Sequence, residues 1–245
     1  MQTQIVHAIC IRAEDSGEND KICTLYTAQS GKRRVKLRGV KKAAARLKYA
    51  AQPFCFGAYT LQETKSGVAL VTGCTPYESF FDLTADPMRY YAGSCMLESL
   101  SAIATEVSNP ALFKYTVECL SELGFSESDP NAVCLFYQLG LLRLCGYGIT
   151  AEDTCSYCHA PLDLTVRFYF DSLSFCCPLC GVGKHVEYDA YRTVRLVDTL
   201  SKENLKNFKL SKDGAEGALR LMGNIIYKIT GVTLRALQTF LVMQA

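Results

Sequence analysis

The chain has 245 residues, 49% of them hydrophobic, with 26 Lys plus Arg set against 24 Asp plus Glu. That balance describes a folded, soluble protein with core enough for two modest domains and a small module. No apolar run is long enough to span a bilayer and residues 1–11 lack a basic leader ahead of an apolar core, so the expectation is a cytoplasmic protein with no membrane partner.

Residues 4–12 alternate, with Ile5, Ile9 and Ile11 on one side and Val6, Ala8 and Cys10 on the other, which predicts a strand. The run Asp15-Ser16-Gly17-Glu18-Asn19-Asp20 is turn chemistry, and residues 22–26 supply a second strand. After Gln29-Ser30-Gly31, residues 32–38 place Lys32, Arg34, Lys36 and Arg38 on one face and Val35 and Leu37 on the other. Residues 53–62 and 68–74 make two more strands. Five short strands at this spacing predict a small barrel of the oligonucleotide-binding type. Phe54 and Phe56, two apart, are expected to face its core, leaving Tyr49 or Tyr59 as the rings available for stacking.

The third strand lies in a longer stretch, residues 21–62, with ten basic side chains and no acidic one. They are Lys21, Lys32, Arg33, Arg34, Lys36, Arg38, Lys41, Lys42, Arg46 and Lys48. The rest of the chain holds 16 basic against 24 acidic residues. A near-neutral protein that gathers its positive charge in one place is arranged to meet a polyanion there, nucleic acid first among them. The competing reading of such a run is a solvated face.

Between residues 76 and 85 the periodicity shifts from two to about 3.6. Asp86-Pro87, Asn109-Pro110 and Asp129-Pro130 each read as an N-cap followed by proline at the first helical position. The second and third helices are expected to stop at Gly124 and Gly146. Helical patterns return at 190–200, 214–229 and 234–243, so the C-terminal segments should close a bundle with the middle ones. Three parts follow: a barrel at 1–78, a helical domain at 79–149 and 186–245, and an inserted module at 150–185.

That module carries Cys155-Ser-Tyr-Cys158 and, eighteen residues on, Cys177-Pro-Leu-Cys180. Paired C-x2-C knuckles offer four thiolates that converge tetrahedrally on one ion, with residues 166–175 as the hairpin joining them. Cys155, Cys158, Cys177 and Cys180 are therefore read as ligands of one Zn2+, in a closed site whose role is structural. A redox dithiol needs a thioredoxin-like strand and helix, and the surroundings are turn-rich. Cys176, His159 and His185 rank below the four. The remaining cysteines, such as Cys10, Cys23 and Cys55, stand singly among apolar neighbours and suit a reducing compartment.

Nucleotide and dinucleotide motifs are absent, and no histidine stands beside a plausible nucleophile or a partner at i, i+4. The acidic residues Glu14, Asp15, Glu18 and Asp20 read as a solvated turn rather than a nuclease site. The chain is read as a binder, not an enzyme.

The order of parts resembles the RecO family of bacterial recombination mediators. The local text is similar too, in Asp20-Lys-Ile-Cys-Thr-Leu-Tyr-Thr27, Gly31-Lys32, Arg38-Gly39-Val40-Lys41-Lys42, and Leu47 with Gln52-Pro53-Phe54. It departs at Ala43-Ala44-Ala45, where a polar or proline-containing turn is more usual. The resemblance implies a DNA repair protein that binds single- and double-stranded DNA and anneals complementary strands without ATP. It further implies recombinase loading, the RecR protein and the acidic C-terminal tail of single-stranded DNA-binding protein as partners, and a place at the nucleoid. The residues assigned to phosphate contact are Lys32, Arg34, Lys36, Arg38, Lys41, Lys42, Arg46 and Lys48. The alternative is a non-enzymatic adaptor whose basic barrel and zinc module dock acidic protein segments.

Overall fold

A computed structural model describes residues 3–65 and 67–243. The chain divides into two compact units, Met1–Ala85 with Ala104–Glu118, and Asp86–Ile103 with Cys119–Ala245. Among the described residues no helix is long and apolar enough to cross a membrane.

Five strands build the first unit: β1 (Thr3–Ser16), β2 (Asp20–Thr27), β3 (Gly31–Leu37), β4 (Cys55–Gln62) and β5 (Ala69–Ser79). They close in the order β1-β2-β3-β5-β4, with β3 and β5 parallel and the other neighbours antiparallel. This is the expected oligonucleotide-binding type of barrel. Alternate residues point inward, among them Val6, Leu25, Val35, Leu37, Tyr59 and Leu61. Each such aliphatic side chain contributes about 1.5–3 kcal/mol through burial.

Two strands outrun their expected lengths. β1 continues to Ser16 because its last residues pair with the start of β2, Ser16 facing Asp20, around a tight turn whose Gly17 has φ +74°. β5 continues past Cys74 to Ser79 because it keeps its pairing with β4 across two register shifts.

One expectation about the barrel core is wrong by a single position. Phe54 is buried, but its φ of +72° and its N–H bond to the Cys10 carbonyl (3.0 Å) set it before the strand begins. Alternation starts at Cys55, which points inward, so Phe56 points outward and packs against Phe80 and Phe113.

Nothing in the helical periodicity of residues 104–118 announces that they group with the barrel. The backbone of Gly31 (φ +63°) lies so close to residues 105–107 that an added Cβ would sit 2.4 Å from the Val107 carbonyl oxygen. Lys32 N–H donates to the Thr105 carbonyl at 2.9 Å and the Ser108 hydroxyl to that of Ala28 at 3.0 Å.

The helices are α1 (Pro87–Ile103), α2 (Pro110–Phe125), α3 (Pro130–Leu144), α4 (Tyr188–Asp198), α5 (Lys212–Thr230) and α6 (Arg235–Val242). All three expected caps form: Asp86 accepts from Met88 N–H (2.8 Å), Asn109 from Leu112 N–H (3.0 Å) and Asp129 from Asn131 N–H (3.0 Å). In the second unit α1 packs against α3, α5 and α6. Gly146, with φ +85°, follows the end of α3 as expected. Gly124 does not stop α2, which runs one residue further, to where the Ser126 hydroxyl turns back onto the Glu122 carbonyl (2.6 Å).

Asp129 does double duty, since its second carboxylate oxygen accepts from Leu210 N–H at 3.0 Å. Asp129→Ala leaves two donors without this partner and is expected to cost about 1–2 kcal/mol. Thermal unfolding should show a drop of several degrees, and an unchanged melting temperature would contradict the assignment.

Candidate metal centre and nucleic-acid interface

The inserted module holds three short strands, β6 (Val166–Tyr169), β7 (Ser174–Cys176) and β8 (Lys184–Val186), in the order β7-β6-β8. The β6–β7 hairpin carries Cys177 and Cys180 back towards the loop bearing Cys155 and Cys158. Its floor is aromatic, with Phe175 set edge-on against Phe168 and Tyr191. From α4, the Tyr191 hydroxyl donates to the Glu152 carbonyl (2.7 Å) and Arg195 Nε to that of Ala151 (3.2 Å), so the helix grips the stem of the first knuckle.

The four sulfurs Cys155, Cys158, Cys177 and Cys180 all lie within 4.8 Å of one another. Cys155–Cys180, Cys158–Cys177 and Cys177–Cys180 are each separated by 3.6 Å. Bonds of about 2.3 Å to a tetrahedral ion place sulfurs about 3.8 Å apart, so the donor set fits a metal ion of zinc's size. Burial pushes the Cys155 thiol up, but backbone N–H groups, those of Tyr157 and Cys177 among them, outweigh it and bring the group down to about 6. A sulfur surrounded by N–H donors is already prepared to be a thiolate.

The three lower-ranked residues stand apart. The Cys176 thiol bonds to the Arg167 and Val182 carbonyls at 3.7 and 3.5 Å. The His185 ring faces Glu187, and His159 contributes its backbone N–H to the Cys155 carbonyl (2.9 Å).

On the barrel, Val35 and Leu37 are buried while Arg34 and Arg38 are exposed, as the alternation of β3 requires. Lys32 is half-buried, and burial pushes its ammonium group down. Arg33 is tied to Glu63 at 2.7 Å. Beyond β3 the connector is pinned from below by Val40, Leu47, Ala50 and Ala51, so that Lys41, Lys42, Arg46 and Lys48 face solvent. Ala43-Ala44-Ala45 forms part of a turn in which Ala45 N–H reaches the Lys42 carbonyl (3.1 Å).

Glu14, Asp15 and Glu18 of the acidic turn are exposed, and two of the turn's carboxylates are also tied to cations of the basic stretch. Asp15 pairs with Lys41 at 2.7 Å, Asp20 pairs with Lys36 at 2.9 Å, and Asp20 also accepts from Gly39 N–H at 2.8 Å. These contacts hold both carboxylates below their ordinary range, the Lys41 bond leading at Asp15 and the Gly39 N–H at Asp20. Of the eight predicted phosphate ligands, Arg34, Arg38, Lys42, Arg46 and Lys48 make no ion pair among the described residues. No local signal in the sequence marks the two clipped lysines, because their partners come from an adjoining turn.

Both stacking candidates are corrected. Tyr59 is fully buried and donates its hydroxyl to the Ala50 carbonyl at 3.1 Å. Tyr49 packs onto the core and donates to the Cys74 carbonyl at 2.6 Å. A tyrosine near the middle of an apolar strand fills the barrel.

The family model for the N-terminal part of recombination protein O matches residues 1–80, and that for its C-terminal part matches residues 84–237. The chain belongs to the RecO family. A RecO relative from Clostridium novyi, called DNA repair protein RecO, is 27% identical over 237 residues, covering 95% of this chain and 91% of that one. The protein of that name from Bacillus mycoides is 31% identical over 191 residues, 77% of this chain and 73% of the relative. The one from Bacillus subtilis is 30% identical over 185 residues, 75% and 69%. The RecO N-terminal match covers the five barrel strands, and the C-terminal match runs from α1 through the cysteine module into α6.

Proposed function

We propose that this protein is a DNA repair and recombination mediator that binds single- and double-stranded DNA and anneals complementary strands without ATP. The observation that carries the reading is the exposed basic connector, whose Arg38, Lys42, Arg46 and Lys48 make no ion pair among the described residues, in a barrel of the oligonucleotide-binding type. Lys32, Arg34, Lys36 and Lys41 extend the same phosphate-binding surface, the last two by exchanging a carboxylate for a phosphate. Membership of the RecO family supports the rest: recombinase loading onto coated DNA, cooperation with RecR protein, contact with the acidic tail of single-stranded DNA-binding protein, and work at the nucleoid without a catalytic step. The four cysteines hold one structural zinc, since four thiolates fill a tetrahedral ion and leave no position for a reacting water.

A mixed-sequence oligonucleotide titrated across a salt series tests this. The four connector cations alone contribute about 2.8 to the log-log slope for single strands, and contacts from the other four steepen it towards about −5.6, with similar values for unrelated sequences. No binding at low salt would refute the reading. Complementary strands should also anneal at one rate with and without ATP, and a rate that depends on ATP would overturn the non-enzymatic assignment.

A further inference from the structure

From the barrel's bulged fifth strand, we infer that Tyr77 and His7 form a stacking platform for an unpaired nucleobase, on an outer face separate from the phosphate-binding connector. The inference rests on the proposed DNA binding and adds to it a site that reads bases as flat rings.

The platform starts with a register shift. Phe56 pairs with Glu78 and Gly57 with Pro76, so Tyr77 is the extra residue of a β-bulge and has no partner across the ladder. A bulge re-aims a side chain, and such irregularities concentrate beside functional sites. Gly57 makes this one feasible: an added Cβ there would lie 2.5 Å from the Thr75 carbonyl oxygen, so the two strands close up only because the side chain is missing.

The bulge sends Tyr77 out to solvent, where it remains 50% exposed. Among the described residues of the barrel unit it is the one Phe or Tyr so exposed. Exposure is not looseness here. The Tyr77 hydroxyl and His7 Nδ1 share a hydrogen bond of 2.6 Å, and the two rings stack at 27° with centroids 5.6 Å apart. Phe56 meets Tyr77 edge-on at 5.2 Å and is itself backed by Phe80 and Phe113. His7 is exposed as well, and its backbone is fixed at N–H by the Gln29 side chain (3.2 Å) and at the carbonyl by Ala28 N–H (3.0 Å).

A large ring held in place while open to water has already lost the freedom that binding would otherwise remove. The outward neighbours on β1 and β4, Ile5, Ala58 and Thr60, are all uncharged. Neutral and aromatic is the surface a base requires, whereas phosphates require the cations that this same unit concentrates elsewhere. The occupant that matches both surfaces in one unit is single-stranded nucleic acid.

The test uses the full-length protein and two single strands of equal length, one carrying 2-aminopurine among ordinary bases and one fully abasic. Wild type should quench the 2-aminopurine signal by stacking. Tyr77→Ala should lose that quenching and bind the base-bearing strand about tenfold more weakly, with an unchanged salt slope and unchanged affinity for the abasic strand. Tyr77→Phe, which keeps the ring and drops the hydroxyl, should retain most of the quenching. Equal binding of the base-bearing strand by wild type and Tyr77→Ala would overturn the inference, as would an equal loss on the abasic strand. Wild type that binds neither strand would overturn the DNA reading itself, a result distinct from a failure of Tyr77 alone.

Discussion

Cys177→Ser is expected to abolish metal retention and to unfold the module between α3 and α4 while the helices around α1 persist. Cys177 stands 3.6 Å from both Cys158 and Cys180, and its backbone N–H supports the Cys155 sulfur at 3.3 Å. Removing one ligand of four weakens metal affinity by on the order of a hundredfold or more. The module's three strands are only three or four residues long, too short to hold on their own if the proposed ion is lost. Elemental analysis should find about one zinc per wild-type chain and none in the variant, and limited proteolysis should cut the variant within residues 150–186. Cys176→Ser is the control. Its sulfur bonds to carbonyls outside the four-sulfur cluster, so that variant should keep its metal. A metal-free wild type with the same melting curve after chelation would show that the four thiols do not form a structural centre.

The second large effect belongs to the connector. Removing Arg38, Lys42, Arg46 and Lys48 together deletes four exposed cations, none of which makes an ion pair among the described residues. Each lost phosphate contact lowers the single-strand salt slope by about 0.7, so the fourfold alanine variant should lose about 2.8 from it. Because none of the four is buried in the barrel core, its circular dichroism and melting temperature should match wild type. Lys41→Ala on its own should change the slope less than Lys42→Ala, since Lys41 already spends its charge on Asp15. An unchanged slope in the fourfold variant would move the DNA site off the connector and onto the helical unit.

The five strands, the three capped helices and the four-cysteine set were legible because each rests on a short-range rule. Alternation needs about six residues, an Asp-Pro cap needs two, and a C-x2-C knuckle needs four. What sequence reasoning missed was set by pairing at a distance. The parity of β4 turned on the φ of Phe54, which no pattern of apolar residues encodes. With that parity shifted, Phe56 left the core and Tyr59 filled it. The clipping of Lys36 and Lys41 depended on which strand end the acidic turn came to lie beside. Tyr77 was passed over because a bulge is a count of residues on two strands at once.

The contact of Gly31 with residues 105–107 sets an order of events during synthesis. A ribosome that has released residue 85 has delivered all five strands, yet Lys32 N–H has not met its Thr105 acceptor and the Gly31 backbone has nothing against it. The unit is complete only after residue 118, when the whole of α1 has also emerged. At about 5–20 residues per second, those 33 further residues arrive roughly 2 to 7 s later. For that interval the nascent barrel waits unfinished while a helix of the other unit is being made, so a gene fragment cut at residue 85 would freeze the chain at that stage.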